Sequence, residues 1–360
     1  MEVELLQKKK NGEKSFTSAA ASARACTCVH AIILALVLIL SLLTGCDRGK
    51  EPFTVNPEIV FGERGRKADQ LLNIDGIAVH GGKIYVGDVH RIQVYDDKGK
   101  YIRSLGRPGS RPGEIMEDVP GLAIDSQKRL IVVDPGNYRV QVLSLNGDFL
   151  TAWGRRGTDA GRFLRPQGVA VDGSGRIYVT DNSINHIQVF SQEGAYLFAF
   201  GKTGGGRGEL REPDAITIHR DKVYVADEGN GRIQVFDLQG HPLGEIGRIT
   251  GALSPQVLQD DDYASSQKEM IRSYFRSDVE GLAFDRDNIL YAANEDEGTI
   301  EVFRETGERL GAFTSAAKGG MKKIQGLAVN SQGTKLYVCD QGNMRIQVFD
   351  LTTVKKIIIK

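Results

Sequence analysis

Apolar residues in this chain come in short runs that alternate with polar ones and stop at Gly, Asp or Asn. Residues 168–172, 176–180, 186–190 and 196–201 form four such runs in succession, with Asp172-Gly-Ser-Gly175 and Ser191-Gln-Glu-Gly194 among the links between them. Alternation over so few residues is the pattern of half-buried strands rather than helices. Links rich in Gly, Asp and Asn suit tight connections between antiparallel neighbours. The pattern therefore predicts a unit of four short antiparallel strands.

The same unit recurs six times. Its first run reads Gly76-Ile-Ala-Val-His80, Gly121-Leu-Ala-Ile-Asp125, Gly168-Val-Ala-Val-Asp172, Ala215-Ile-Thr-Ile-His219, Gly281-Leu-Ala-Phe-Asp285 and Gly326-Leu-Ala-Val-Asn330, at start-to-start spacings of 45, 47, 47, 66 and 45 residues. A near-constant period marks a unit that cannot bury its apolar faces alone and stacks on copies of itself. Four-stranded units of this length set around an axis form a β-propeller, so the chain predicts an all-β fold of six blades. The fourth run ends in an apolar residue followed by glycine at Leu105-Gly106, Trp153-Gly154, Phe200-Gly201 and Ile246-Gly247, with Phe313 a weaker copy. A matching piece, Glu58-Ile-Val-Phe-Gly62, lies upstream of the first repeat. It is expected to complete the sixth blade, because an unpaired edge strand invites aggregation. The alternative closing strand is Val354-Lys-Lys-Ile-Ile-Ile359.

Tyr-Val-x-Asp followed by Asn and Arg-Ile-Gln-Val-Phe, most complete at 224–236 and 337–349, resembles the NHL repeat, and the resemblance covers residues 57–351. Neither a Trp-Asp signature nor Tyr-Trp-Thr-Asp occurs, which sets the chain apart from WD40 and LDL-receptor-type propellers. The resemblance implies a six-bladed NHL propeller over 57–360. About 20 extra residues between repeats four and five form an insert at about 248–277. Within it, residues 265–275 read as a short helix capped by Ser265 or Ser266, with Met270, Ile271, Tyr274 and Phe275 at helical spacing.

The N-terminal part carries a different signal. Lys8, Lys9, Lys10, Lys14 and Arg24 precede an apolar run at 31–43, the order of a secretory signal and too short for an ordinary membrane-spanning helix. It ends at Leu43-Thr-Gly-Cys46, which resembles the lipobox of bacterial lipoproteins. That resemblance implies a signal peptide at 1–45, lipidation at Cys46, a lipid-anchored tether at 46–56 and an extracytoplasmic, envelope location. Asp47 resembles the residue that retains such proteins in the inner membrane. The chain has 46 basic and 46 acidic residues, and without residues 1–45 it keeps 41 and 43. A net charge near −2 excludes a polybasic nucleic-acid binder. Cys339 is the cysteine left within the repeats, in a slot where other copies carry small strand residues, and reads as a buried structural thiol.

Repetition separates scaffold from site. Asp88, Asp134, Asp181, Asp227 and Asp340 recur at one offset, followed by Arg91, Arg139, Arg232 and Arg345, and read as ion pairs and turn hydrogen bonds within blades. Gln93, Gln141, Gln188, Gln234 and Gln347 read as outward or ladder-facing positions of the third strand. Function is expected where the copies differ, on the face carrying the loops between blades and between strands two and three. Those loops hold Arg107, Arg111, Arg155, Arg156, Arg162, Arg165, Arg207 and Arg211, interleaved with Glu114, Glu117, Asp118, Asp159, Glu209 and Glu212. Either a cationic rim for an anionic partner or a solvated mixed-charge surface fits them.

The residues just ahead of the inner-strand glycines or Ala215 are Asp75, Pro120, Gln167, Asp214, Glu280 and Gln325. A single offset on six radial blades makes a ring, so Asp75, Gln167, Asp214, Glu280 and Gln325 are expected in an axial funnel. There they either cap loop backbone or hold a cationic peptide group or a hard cation such as Ca²⁺ or Mg²⁺. An amidating lyase similar to NHL proteins binds zinc through histidines at this offset, and none of the six residues here is histidine. The reading is a monomeric, membrane-anchored binding or scaffolding propeller for a protein, peptide or envelope polymer. The alternative is a metal-dependent hydrolase or lyase acting at the funnel.

Overall fold

A computed structural model describes residues 51–247, 275 and 278–359. Two short strands, β1 (Phe53–Val55) and β2 (Ile59–Phe61), come first. Blade one is β3 (Ile77–His80), β4 (Lys83–Asp88), β5 (Arg91–Asp96) and β6 (Tyr101–Leu105). Blade two is β7 (Leu122–Ile124), β8 (Arg129–Asp134), β9 (Arg139–Ser144) and β10 (Phe149–Trp153). Blade three is β11 (Pro166–Val171), β12 (Ile177–Asp181), β13 (His186–Phe190) and β14 (Tyr196–Phe200). Blade four is β15 (Pro213–His219), β16 (Lys222–Asp227), β17 (Arg232–Asp237) and β18 (Pro242–Ile246). Blade five holds β19 (Val279–Phe284), β20 (Ile289–Asn294), β21 (Thr299–Arg304) and β22 (Arg309–Ser315), and blade six holds β23 (Ile324–Val329), β24 (Lys335–Asp340) and β25 (Arg345–Asp350).

Within each blade the order of strands in the sheet is their order in the chain. The first strands of successive blades lie side by side and close a ring, with β23 returning to β3. The fold is a six-bladed propeller. Its core lies between blades, because each sheet is apolar on both faces: Ala78, Tyr85 and Ile92 of blade one pack with Leu122, Leu130 and Val132 of blade two, and the pattern repeats around the ring.

Glycine opens the inner strand because the backbone of the next blade passes there. A Cβ on Gly168 would stand 2.5 Å from the Asp214 carbonyl oxygen, and one on Gly326 would stand 2.3 Å from that of Asp75. The close approach also makes a bond, as the Gly326 N–H donates to the Asp75 carbonyl at 3.1 Å.

The ring closes through β2. It runs antiparallel to β25, with Ile59 opposite Val348 and Phe61 opposite Ile346, and is the fourth strand of blade six. The alternative closing segment is helical, α1 (Leu351–Ile358), its first turn capped by the Asp350 carboxylate, which accepts from the Thr352 and Thr353 N–H groups. Leu351, Val354 and Ile358 share one face, and burial of that face against Val55 and Phe313 decides for helix. A second correction concerns the expected tether. Residues 53–55 are not a free linker: β1 pairs in parallel with β22, matching Phe53 to Phe313, and buries Val55 as a fifth strand of blade five. The expected helix at 265–275 lies outside the described residues except Phe275, which is buried against Phe303 with ring centroids 5.8 Å apart.

Candidate functional site at the axial mouth

One face carries the loops that lead into the inner strands and the loops joining second to third strands, and a repeated set of side chains fixes both. In every blade but the fifth, whose second strand ends in Asn294, the carboxylate ending that strand reaches back to the loop from the preceding blade. Asp88 accepts from the Leu72 and Asn73 N–H groups, Asp134 from that of Met116, Asp181 from those of Leu164 and Arg165, Asp227 from that of Arg211 and Asp340 from that of Lys322. Arg91, Arg139, Arg232 and Arg345 pair with these carboxylates at 2.7–2.9 Å, as the scaffold reading expects.

The glutamines correct the outward reading. All five are buried, and each amide donates to a loop carbonyl, such as Gln141 to Glu114 and Gln93 to Gln70. Gln141, Gln188 and Gln234 also accept from the N–H of Gly113, Gly161 and Gly208. Polar side chains bury here because a loop folds back over the sheet and satisfies both ends of the amide. The loops share a further device: single parallel bridges join Arg64 to Leu71, Pro108 to Ile115, Arg156 to Phe163 and Thr203 to Leu210, and the second residue of each pair is fully buried.

This frame delivers the predicted funnel residues to the axis. Asp75, Asp214, Glu280 and Gln325 line one axial cavity of about 70 Å³ together with the inner-strand glycines. Gln167 does not join them. It lines an adjoining cleft of about 540 Å³ between blades two and three, beside Asp118, Arg165 and Ser183, to which Asp75 and Pro120 also contribute.

More acid converges here than the ring offset alone suggests. Glu228 and Glu295 stand directly after the last residue of the second strand in blades four and five, where the other copies carry Val89, Pro135, Asn182 and Gln341. That departure from the repeat was the available signal for them. Burial, followed by the charges of Asp214, Asp118 and Glu295, holds the Asp75 carboxyl well above the usual carboxylate range, against the pull of Arg165. Asp214 is pushed up to about 6 by burial, with Arg165 and a hydrogen bond to Glu280 opposing the shift. Glu280 is raised by burial and then by Asp214, Glu228 and Asp75. Burial and the charges of Asp214 and Asp278 bring Glu228 to about 8. Gln325 donates to Glu295 at 3.1 Å, and Glu295 is itself raised by burial. The mouth therefore holds protons that solvent-exposed carboxyls would release, and it accepts positive charge readily.

The eight arginines do not form a cationic rim. Arg107 pairs with Glu114 and Arg162 with Asp159, Arg207 donates to the Pro242 carbonyl at 2.7 Å, and Arg156 lies over the Tyr138 ring. Arg111, Arg155 and Arg211 are exposed on separate loops. Arg165 alone of the eight joins the axial field, at the edge of the cleft. Among the described residues no three His, Cys, Asp or Glu side chains stand close enough together to hold one metal ion, so the Ca²⁺ or Mg²⁺ expectation finds no ready ligand set there. Cys46 lies outside the described residues, and Cys339 is a buried thiol whose pKa is raised by burial.

Residues 67–152 and 169–264 match a family described as 6-bladed beta-propeller. The chain belongs to that family. One relative, Protein brain tumor of Drosophila melanogaster, is 32% identical over 99 residues, which is 26% of this propeller chain and 9% of that protein. Among solved structures, a streptogramin B lyase aligns with a TM-score of 0.52 at 14% identity over 77% of this chain and 93% of its own. Virginiamycin B lyase from Staphylococcus aureus gives 0.50 at 15% identity, over 78% and 84%. A protein of unknown function from Bacteroides thetaiotaomicron gives 0.57 at 12%, over 81% and 75%. At these identities the likeness is one of fold, and fold leaves chemistry open.

Proposed function

We propose that this chain is an envelope-anchored, NHL-type propeller that binds a protein, peptide or envelope polymer by seating a positively charged group of that partner on the axial mouth. The observation that carries the reading is the convergence of Asp75, Asp214 and Glu280 from three blades on one cavity, with Glu228 and Glu295 around it, all raised by burial and most of them by one another. A cation placed there relieves the repulsion of several carboxylates at once. Rigid inner strands hold those carboxylates in place before binding, which lowers the ordering cost of association. The leader and Leu43-Thr-Gly-Cys46 support export and lipidation at Cys46, and Asp47 supports retention at the inner membrane.

Full-length protein in detergent, titrated calorimetrically with trilysine and with triglutamate, tests the site. Trilysine is expected to bind, triglutamate to give no heat, and trilysine affinity to rise between about pH 6 and pH 8 as the raised carboxyls ionise. The double variant Asp214→Asn/Glu280→Gln is expected to lose about ten-fold or more in affinity, a loss of order 1.4 kcal/mol. Equal trilysine binding by the variant refutes the axial site. Anchoring is tested separately: Cys46→Ala should leave the membrane fraction, and mass spectrometry of the native chain should find acyl mass on Cys46.

A further inference from the structure

The opposite face carries the turns between first and second and between third and fourth strands, and there successive blades are tied through one repeated position. The residue one or two places past the end of the third strand receives a bond from the blade before. Tyr85 and Arg103 of blade one donate to the Leu145 carbonyl of blade two at 3.5 and 3.2 Å. Arg129 of blade two donates to the Gln192 carbonyl of blade three at 3.2 Å, and Tyr178 of blade three to the Leu238 carbonyl of blade four at 2.9 Å. Arg220 and Lys222 of blade four reach the Glu305 carboxylate of blade five at 3.0 and 2.9 Å. Between blades five and six the helix α1 takes over, with Lys355 on Asp285 at 3.0 Å.

The junction of blade six with blade one breaks this series. Its turn residue is Asp97, which is exposed, whereas Leu145 and Leu238 pack at the edges of core clusters. Lys335, in the place of Lys222, turns instead to Glu58 at 3.0 Å. Tyr337, in the place of Tyr85 and Tyr178, is 3% exposed, and its hydroxyl makes no hydrogen bond among the described residues. The Tyr224 hydroxyl is also unbonded, but it is sealed in. Tyr337 instead lines a cavity of about 250 Å³, with Lys335, His80, Asp97, Asn330 and the turn Gly81-Gly82. A hydroxyl that opens on the cavity without a protein partner, at the junction that lacks the inter-blade bond among the described residues, marks a place for a ligand oxygen.

We infer that this gap is a second binding site, distinct from the axial mouth, for a neutral polyol such as one ring of a sugar or glycan. The lining offers donors from Tyr337, Lys335 and His80 and an acceptor from Asp97, and a sugar hydroxyl serves as both donor and acceptor. A free anion would meet Asp97 and Glu58, and a free cation would meet Lys335. A neutral polyol meets neither penalty. The cavity has room for a single six-membered ring and little more.

The test uses the full chain in a detergent without a sugar headgroup and saturation-transfer NMR with glucose and N-acetylglucosamine. Acetate and methylamine serve as charged probes, and trilysine as a competitor for the other face. At least one sugar is expected to saturate at millimolar concentration. Tyr337→Phe, which removes one oxygen and keeps the ring, is expected to weaken it about five-fold, and Asp97→Asn, on an exposed turn, to weaken it as well, both with an unchanged thermal midpoint. Saturating trilysine should leave the sugar signal in place. The inference falls if neither sugar saturates by about 50 mM or if Tyr337→Phe binds as tightly as the native chain. Displacement of the sugar by acetate, methylamine or trilysine also overturns it.

Discussion

At the axis single residues decide both shape and charge. Gly168 faces the Asp214 carbonyl across 2.5 Å of would-be Cβ contact, and the Ile216 nitrogen lies 3.0 Å from the same point. Backbone on both sides leaves little room to yield, so Gly168→Ala is expected to cost about 1–3 kcal/mol in urea unfolding. The carboxylates predict a pH dependence of known sign. Asp214 near 6 and Glu228 near 8 keep their protons in the folded chain after the unfolded chain has lost them. Folded protein therefore binds more protons than unfolded protein through this window, and stability falls as pH rises from about 4 to about 8. Thermal midpoints measured across that range should decline on this account, and Glu228→Gln should flatten the upper part of the decline. The ring of Asp75, Asp214, Glu280 and Gln325 was legible in the sequence because one offset repeated on radial blades must converge. The placement of Gln167 was not, since an offset fixes a Cα position and not which of two adjoining spaces a side chain lines.

At the scale of elements, each blade depends on a carboxylate that ties strand to loop. Asp134 accepts from Arg139, Asn137 and Gln141 and from the Met116 N–H, and it is fully buried. Asp134→Ala leaves all four donors short of an acceptor, one of them a guanidinium, and is expected to cost about 3–5 kcal/mol. Arg111→Ala, on the same loop but exposed, should stay within about 0.5 kcal/mol. Chemical denaturation of both variants separates a repeated scaffold from a solvated rim. These pairs could be read from the sequence because Asp and Arg recur together. The burial of the glutamines could not: strand alternation says which face a residue takes, but not that a loop returns to cover that face. The last element shows the same limit. Val354-Lys-Lys-Ile-Ile-Ile359 is too short an apolar run for periodicity to separate helix from strand, and the outcome was set by Asp350 as cap and by a groove beside β1 that accepts Leu351, Val354 and Ile358.

For the whole molecule, the ring is held shut by sequence-distant partners. Strand β2 gives blade six its fourth strand, β1 extends blade five, and α1 packs beside both β1 and β22, so that residues 53–61 bridge the last two blades. Ile59 and Phe61 lie against a core cluster containing Ile346 and Val348, which deletion of the strand would expose along with the free edge of β25. A propeller opened in this way loses the closure that hides its edges. Deleting residues 57–62 is therefore expected to lower the thermal midpoint sharply, broaden the transition and promote self-association visible by light scattering. A synthetic peptide of residues 57–62 should restore part of the midpoint, because the groove beside β25 is built by the rest of the chain. A weakened cap on α1 alone, as in Asp350→Ala, should cost only about 1 kcal/mol and leave the ring closed. A deletion that unfolds with the native midpoint and stays monodisperse would show that β2 covers the sixth blade without closing it.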